Sequence, residues 1–177
     1  MNAELRLIIG GSRSGKSSRA EEIARSWVVD VVYVATCRTE NLDAEMTERI
    51  RRHREQRSSG WRTIEDRFDL EELAAECAGG VVLLDCLTLW LAHWLESEPV
   101  DAVLGRLENG LAALRRHQVR TILVTNEVGC GIVPLGAETR AYRDLVGWAN
   151  QLAAREADEV EWIVAGIPVT IKGGPRG

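Results

Sequence analysis

The chain has 177 residues, with 22 lysines and arginines against 27 aspartates and glutamates and a net charge of -5. This length fits one domain, and the acidic balance argues against nucleic acid or an anionic membrane as the main partner. Four cysteines without a CxxC pair argue against a zinc or redox motif and against a disulfide-rich secreted scaffold. No apolar run is long enough to span a membrane. We therefore expect one cytoplasmic domain covering residues 1–177.

Short apolar, β-branched runs alternate with segments of helical periodicity along the chain. The predicted strands are Leu5–Ile9, Val31–Thr36, the short "WRTIED", Val81–Leu84 and "VRTILVTNE". Helices are predicted from Ser17 to about Trp27, from near Asp43, from Asp69 to Cys77, in "LTLWLAHWLES", from Asp101 to His117 and from Glu138 to Glu156. The tail predicts two antiparallel edge strands joined at Gly166 to Pro168. This order indicates an α/β protein with a largely parallel sheet flanked by helices and a C-terminal antiparallel hairpin.

A glycine-rich motif lies between the first predicted strand and the first predicted helix. The stretch "GGSRSGKS" fits G-x-x-x-x-G-K-[ST], the signature of a P-loop NTPase. Its backbone N–H groups and the positive end of the following helix can surround phosphate oxygens. We predict that Lys16 contacts the β- and γ-phosphates of ATP or GTP and that Ser17 binds Mg²⁺. The predicted nucleotide-binding residues of the loop are Gly10, Gly11, Ser12, Arg13, Ser14, Gly15, Lys16 and Ser17.

Asp85 ends the apolar run "VVLLD" and is placed like a Walker B carboxylate. A carboxylate at the carboxyl edge of a parallel sheet can hold Mg²⁺ directly or through water. An aspartate at the end of a strand is also common in proteins without a metal, but the phosphate loop favours the metal role. A regulatory GTPase is less consistent with the chain, because the guanine-reading motif N-K-x-D is absent.

The stretch "ERIRRHREQR" places His53 among five arginines. Met46, Ile50 and His53 recur at helical spacing, so the imidazole lies on the apolar stripe of the predicted helix. Arg54 and Arg57 have no acidic residue three or four positions away, and such guanidiniums suit phosphate groups. A neutral imidazole can attack phosphorus, but a histidine at the edge of the core fits the same pattern. The other two histidines, His93 and His117, are assigned to structure.

Taken together, the motifs resemble the bifunctional adenosylcobinamide kinase/adenosylcobinamide-phosphate guanylyltransferase family of cobalamin biosynthesis. The resemblance covers nearly the whole chain and rests on these stretches: "GGSRSGKS", "VYVAT", "DAEMTERIRRHREQR", "GWRTIE", "LLDCLTLWL", "VTNEVGCGIVP", "RDLVGWANQ" and "ADEV".

The resemblance implies two reactions: phosphorylation of adenosylcobinamide, then transfer of GMP from GTP to adenosylcobinamide phosphate. It implies that His53 becomes guanylylated, that ATP and GTP are substrates with Mg²⁺, and that the chain has a RecA-like core and forms a homotrimer. Further nucleotide-binding residues implied in this way are Ala35, Thr36, Cys37, Arg54, Glu55, Gln56, Arg57, Glu65 and Asp85.

Two other functions fit the phosphate loop. In a monofunctional P-loop kinase for a small molecule, His53 would be structural. In a nucleotide-dependent switch, hydrolysis would change partner binding and no small molecule would be modified. The residues alone leave these alternatives open, and the resemblance favours the bifunctional enzyme.

Overall fold

The computed structural model describes residues 3–27, 30–37, 47, 48, 51 and 60–174. Within these residues, the strands are β1 (Leu5–Gly10), β2 (Val31–Ala35), β3 (Arg62–Glu65), β4 (Val81–Asp85), β5 (Arg120–Asn126), β6 (Glu159–Val164) and β7 (Ile167–Lys172). The helices are α1 (Lys16–Ser26), α2 (Leu70–Glu76), α3 (Leu87–Leu95), α4 (Val100–Arg116) and α5 (Ala137–Glu156).

The strands form one sheet in the order β3-β2-β4-β5-β1-β6-β7. Every neighbouring pair is parallel except β6 and β7. The carboxyl ends of β1 to β6 therefore lie at the same edge of the sheet, which is where ligands bind in open α/β folds. Because β1 lies between β5 and β6, the loop after β1 is surrounded by the ends of two strands from much later in the chain.

Helices cover both faces of the sheet. On one face α1 packs Ala20, Ile23 and Ala24 against apolar residues of the central strands. On the other face the larger core cluster is formed with α2, α3, α4 and α5. Residues 81–84 of β4 are all buried, as expected for a strand covered on both faces.

Local signals explain where the helices begin. The Asp69 carboxylate accepts hydrogen bonds from the backbone N–H groups of Glu71 and Glu72, both at 2.9 Å, and so caps α2. Pro99 precedes α4, which has Asp101 in its first turn and arginines in its last, so its charges complement the helix dipole. None of the helices in the described part of the chain combines the length and apolarity that a membrane crossing requires.

The strand and helix predictions are confirmed within the described residues, including the short strand in "WRTIED". The tail differs in two respects. The turn lies at Ala165 and Gly166, and Pro168 belongs to β7, where an exposed edge strand tolerates its missing N–H. In addition β6 is parallel to β1, so only β7 runs against the rest of the sheet.

The helix predicted from near Asp43 falls mostly outside the described residues. Thr47, Glu48 and Arg51 are helical. Arg51 Nε donates to Glu48 Oε2 at 2.7 Å, an i,i+3 pair. His53, Arg54, Glu55, Gln56 and Arg57 lie outside the described residues.

Candidate nucleotide site

Strand register places several predicted site residues at one edge of the sheet. Glu65 on β3 aligns with Ala35 on β2, which aligns with Asp85 on β4. Asp85 aligns with Val124 on β5, which aligns with Ile8 on β1, two residues before the glycine-rich loop. With strands about 4.8 Å apart, Asp85 is about 10 Å from β1 and Glu65 about 19 Å. Glu65 therefore lies at the far end of this edge from the loop.

The loop from Gly10 to Lys16 joins β1 to α1 as the motif predicts. A Cβ at Gly10 would lie 2.5 Å from Ser14 Oγ and 2.8 Å from the Ile163 carbonyl oxygen, so only glycine fits there. Gly15 has a φ of 96° and caps α1, and Arg13 has a φ of 56°. These left-handed residues turn the backbone so that the loop curls around the start of α1.

Neighbouring strands hold the loop on two sides. The Glu127 N–H donates to the Gly10 carbonyl oxygen at 3.1 Å, and the Gly166 N–H donates to the Ser14 carbonyl oxygen at 2.8 Å. The loop is thus shaped by the end of β5 and by the turn between β6 and β7. A loop fixed in this way before a ligand arrives loses little conformational entropy on binding.

Lys16 and Ser14 give this loop its chemical character. Lys16 is buried, and its Nζ donates to the Gly11 carbonyl oxygen at 3.0 Å, so the ammonium lies across the loop. The first turn of α1 contains no acidic residue, so its N–H groups keep their positive potential. Ser14 Oγ is buried and has no hydrogen-bond partner among the described residues. An ammonium, a helix N-terminus and an unsatisfied hydroxyl converge here, as a phosphate group requires.

The two predicted metal ligands come from neighbouring parts of this edge. Asp85 ends β4, and its Oδ2 accepts a hydrogen bond from Tyr33 OH at 2.8 Å, which fixes the carboxylate. Ser17 lies in the first turn of α1 and is half-buried. No group of three or more His, Cys, Asp or Glu residues suited to a metal occurs among the described residues. A hydroxyl and one carboxylate nevertheless fit Mg²⁺, which takes much of its coordination from water and nucleotide phosphates.

In the segment after β2, the Thr36 side chain holds the neighbouring backbone, a role that the sequence motif did not indicate. Thr36 is buried, and its Oγ1 both donates to the Cys86 carbonyl oxygen and accepts from the Cys86 N–H, each at 2.7 Å. Both functions of this hydroxyl are therefore occupied by the backbone next to Asp85. Ala35 is also buried, whereas Cys37 is half-exposed.

Sequence reasoning missed a polar group at the end of β5. Asn126 aligns with Gly10, and its Nδ2 donates to Thr88 Oγ1 at 2.7 Å. Asn150 on α5 donates to the Asn126 carbonyl oxygen at 3.1 Å. Asn126 thus lies between Asp85 and the phosphate loop. The signal was a polar residue after a buried strand, the rule that identified Asp85.

The Cys86 thiol and the Tyr142 hydroxyl both stay protonated because they are buried. Burial first, and then the Asp85 charge, raises the pKa of Cys86 to about 11. Burial first, and then Cys86, raises the pKa of Tyr142 to about 12. Both groups are neutral at physiological pH, so neither supplies an anionic nucleophile.

His93 and His117, which the sequence assigns to structure, each make contacts that support a helix or the core. The His93 ring stacks on Phe68, with centroids 3.6 Å apart. His117 caps the end of α4, and its backbone N–H donates to the Ala113 carbonyl oxygen at 2.9 Å. Neither contributes to the edge that holds the phosphate loop.

A largely parallel sheet, a glycine-rich loop curled at a helix N-terminus and a carboxylate at the same edge, two strands away, define a P-loop nucleotide-binding protein. Comparison of structures agrees with this class. A KaiC-like protein from Pyrococcus horikoshii matches with a TM-score of 0.51 over 91% of this chain and 71% of that protein. The two are 16% identical, so this likeness bears on the fold alone.

The sequence comparisons are more specific. The bifunctional adenosylcobalamin biosynthesis protein CobP of Pseudomonas aeruginosa is 43% identical over 171 residues, which cover 96% of this chain and 98% of that protein. The bifunctional adenosylcobalamin biosynthesis protein CobU of Escherichia coli is 39% identical over 181 residues, covering 94% and 98%. A model of the family "cobinamide kinase / cobinamide phosphate guanyltransferase" matches residues 6–171. The chain belongs to this family and is an enzyme.

Proposed function

We propose that this chain phosphorylates adenosylcobinamide and then transfers GMP from GTP to adenosylcobinamide phosphate through a guanylyl-histidine at His53. The product is adenosylcobinamide-GDP. The observation that carries the proposal is the phosphate loop, with the Lys16 ammonium and the α1 N-terminus converging on it. The family to which this chain belongs is described as both a cobinamide kinase and a cobinamide phosphate guanyltransferase.

The kinase reaction uses the phosphate loop directly. The hydroxyl oxygen of adenosylcobinamide forms a bond to the γ-phosphorus and releases its proton to solvent, the bond between that phosphorus and the bridging oxygen breaks, and the nucleoside diphosphate leaves. Lys16 neutralises the charge on the β- and γ-phosphates, and the loop N–H groups hold them in line. Ser14 Oγ, which has no partner among the described residues, gives the phosphates a further hydroxyl contact.

Ser17 and Asp85 are the residues that we propose to hold Mg²⁺. Both offer oxygen atoms, and Tyr33 holds the Asp85 carboxylate in one orientation. The ion would neutralise charge on the phosphate oxygens during transfer. Asn126 lies between Asp85 and the loop, and we propose that its amide positions the phosphate being transferred.

Guanylyl transfer needs a nucleophile of another kind. A nitrogen of His53 forms a bond to the α-phosphorus of GTP, the bond to the bridging oxygen breaks, and pyrophosphate leaves. A terminal phosphate oxygen of adenosylcobinamide phosphate then attacks the same phosphorus, and the P–N bond breaks to restore the histidine. Sequence pattern and family resemblance support His53, together with Arg54, Glu55, Gln56 and Arg57 as nucleotide contacts.

The remaining predicted nucleotide residues occupy the end of the edge away from the phosphate loop. We propose that Ala35, Cys37 and Glu65 contact parts of the nucleotide other than its terminal phosphates, since Glu65 lies about 19 Å from β1. Thr36 supports them through the backbone of Cys86. We also propose a single domain over residues 1–177, a homotrimeric assembly and a cytoplasmic location.

Labelled GTP separates the proposed function from its alternatives. After incubation with α-labelled GTP, we expect a protein adduct that is stable to base, labile to acid and absent from His53→Ala. Incubation with γ-labelled nucleotide should label adenosylcobinamide in both proteins, because the kinase reaction does not use His53. Kinase activity without any α-labelled adduct in the wild type would leave a monofunctional kinase. Nucleotide hydrolysis without transfer to adenosylcobinamide would indicate a switch.

A further inference from the structure

Glu127 directly follows β5 and lies beside the phosphate loop. Its backbone N–H donates to the Gly10 carbonyl oxygen at 3.1 Å, and the preceding residue, Asn126, aligns with Gly10. Neighbouring strands lie about 4.8 Å apart, so the Glu127 backbone is one strand spacing from the start of the loop. The kinase reaction proposed above names no protein group that takes the proton of the substrate hydroxyl, and a carboxylate at this position can do so.

The Glu127 carboxylate has one oxygen engaged and one available. Oε1 accepts a hydrogen bond from the Gly129 N–H, which fixes the side chain. Oε2 has no hydrogen-bond partner among the described residues. The side chain is half-buried, so water and a bound substrate can both reach it. A carboxylate that is held by one oxygen and open at the other is suited to accept a proton.

The backbone on both sides of Glu127 is held by α5. Asn150 Nδ2 donates to the Asn126 carbonyl oxygen at 3.1 Å. On the other side, Arg143 donates to the Gly129 carbonyl oxygen at 2.7 Å. Together with the bond to the phosphate loop, these contacts fix where Glu127 lies relative to that loop. A group positioned before the reaction needs little rearrangement when the hydroxyl attacks.

Three other carboxylates of the sheet are less suited to this task. Asp85 lies two strands from β1 and is the residue that we propose to hold Mg²⁺. Glu65 lies about 19 Å from β1. Glu161 is on β6, next to β1, but it is buried and bonded twice to Arg19, at 2.7 and 2.8 Å. Among these four carboxylates, only Glu127 combines proximity to the loop with an open oxygen.

We propose that Glu127 is the general base of the kinase reaction. The O–H bond of the substrate hydroxyl breaks and its proton passes first to Glu127 Oε2. The hydroxyl oxygen forms its bond to the γ-phosphorus, and the nucleoside diphosphate leaves. Glu127 then gives the proton to solvent, which restores the carboxylate. An aspartate of the catalytic loop accepts the substrate hydroxyl proton in the same way in protein kinases.

Glu127→Gln tests this role, because glutamine keeps an oxygen that can accept from the Gly129 N–H but does not take up the proton. We expect kcat for transfer of γ-phosphate to adenosylcobinamide to fall roughly 10²–10⁴-fold. ATP affinity, measured by calorimetry, should stay unchanged. The rate at which α-labelled GTP modifies His53 should also stay unchanged, since the imidazole attacks without losing a hydroxyl proton. These two retained properties establish that the variant folds.

The matched control is Asp158→Asn. The Asp158 carboxylate also accepts from a backbone N–H, that of Leu5 at 2.8 Å, but at the amino end of β1 and so at the opposite edge of the sheet. This variant should keep the wild-type kcat. Glu127→Asp retains a carboxylate and should keep more activity than Glu127→Gln, and the reverse order would contradict the proposal.

Two results for Glu127→Gln would overturn the proposal. A wild-type kcat would show that the side chain supplies only its hydrogen bond to Gly129. A joint loss of ATP affinity, His53 modification and kinase activity would show that the carboxylate binds the metal or the nucleotide in both reactions.

The inference rests on the proposed kinase reaction, and the wild-type protein separates the two. If the wild type transfers no γ-phosphate to adenosylcobinamide, the kinase reaction is wrong and its base with it. If the wild type and Glu127→Gln transfer phosphate equally well, only the role of Glu127 is wrong.

Discussion

Thr36 binds the backbone of Cys86 twice, since its hydroxyl donates to the carbonyl oxygen and accepts from the N–H, each at 2.7 Å. The Thr36 N–H also donates to the Asp85 carbonyl oxygen at 3.2 Å. Thr36, directly after β2, therefore holds the backbone of Asp85 and Cys86, where β4 ends and α3 is about to begin. The carboxylate proposed to bind Mg²⁺ is positioned by a residue from the neighbouring strand.

Replacing Thr36 by valine should destabilise the fold. Valine keeps the shape but leaves the Cys86 N–H and carbonyl oxygen buried without partners, so the free energy of unfolding should fall by about 2–4 kcal/mol. Thr36→Ser keeps the hydroxyl and loses one methyl group, which should cost about 1 kcal/mol. Urea denaturation measures both variants. Equal losses in the two would show that the hydroxyl contributes nothing.

Replacing Lys16 by methionine should abolish most of the kinase activity. The variant keeps the apolar stem and removes the ammonium that neutralises the phosphates, so kcat for transfer of γ-phosphate to adenosylcobinamide should fall roughly 10²–10³-fold. The matched control is Lys172→Met, because the Lys172 ammonium donates to the carbonyl oxygens of Ala154 and Arg155 at the end of α5, away from the phosphate loop. Similar rates for the two variants would contradict the role of Lys16.

Replacing Gly10 by alanine should weaken nucleotide binding. The new methyl group would lie 2.8 Å from the Ile163 carbonyl oxygen, which belongs to the backbone and cannot rotate away. A strain of about 1–3 kcal/mol would therefore displace the loop, and ATP affinity should fall by roughly tenfold or more by calorimetry. At Gly147 a Cβ would meet no atom within 4 Å. Gly147→Ala should therefore bind ATP normally. If Gly147→Ala lost stability while Gly10→Ala kept its ATP affinity, the prediction would be wrong.

Acid should destabilise the chain in part through Glu4. Burial opposes ionisation, but hydrogen bonds from Arg6 and Arg120 outweigh it and lower the pKa of Glu4. A carboxyl with a lowered folded pKa stabilises the fold above its unfolded pKa, near 4.3 for glutamate, and this contribution is lost as pH falls through the folded value. Glu4→Gln should therefore be less stable than wild type at pH 7, and the gap should narrow by about pH 3. Urea titrations at both pH values measure the gap, and a constant gap would argue against this linkage.

Alkylation should distinguish the cysteines. Cys130 is exposed in the segment between β5 and α5, whereas Cys86 is buried with its pKa raised to about 11. At pH 8 iodoacetamide should modify Cys130 and leave Cys86 unmodified until the chain is unfolded in urea, because the thiolate is the reactive form. Peptide mass spectrometry reads each site separately. Early modification of Cys86 in the folded chain would show that the thiol is accessible and ionised.

The elements of the fold were predictable because their signals are local. The alternation of apolar runs with helical periodicity placed the described strands and helices to within a few residues, and "GGSRSGKS" identified the phosphate loop. The order of strands was not predictable in this way, because pairing depends on contacts between distant residues. The parallel pairing of β6 with β1 is one example, since the tail sequence predicted an antiparallel hairpin but not the strand of the sheet that it joins.

The site was only partly predictable for a related reason. A motif identifies which residues lie near a ligand, but it does not say where each side chain points. Thr36 was predicted as a nucleotide contact, which stays a prediction, but the motif did not indicate that its hydroxyl binds the Cys86 backbone. Asn126 was overlooked, although β5 brings it beside Gly10. Both depend on the register between strands that are far apart in sequence.

The hydrogen bond from Gly166 to Ser14 joins the phosphate loop to a segment that is synthesised much later. The glycine-rich loop is synthesised before the groups that shape it, at Glu127, Ile163 and Gly166. A nascent chain lacking them has a motif without a formed binding site. Nucleotide affinity should therefore arise only when the C-terminal hairpin has been made, so the partly synthesised chain does not sequester cellular ATP or GTP.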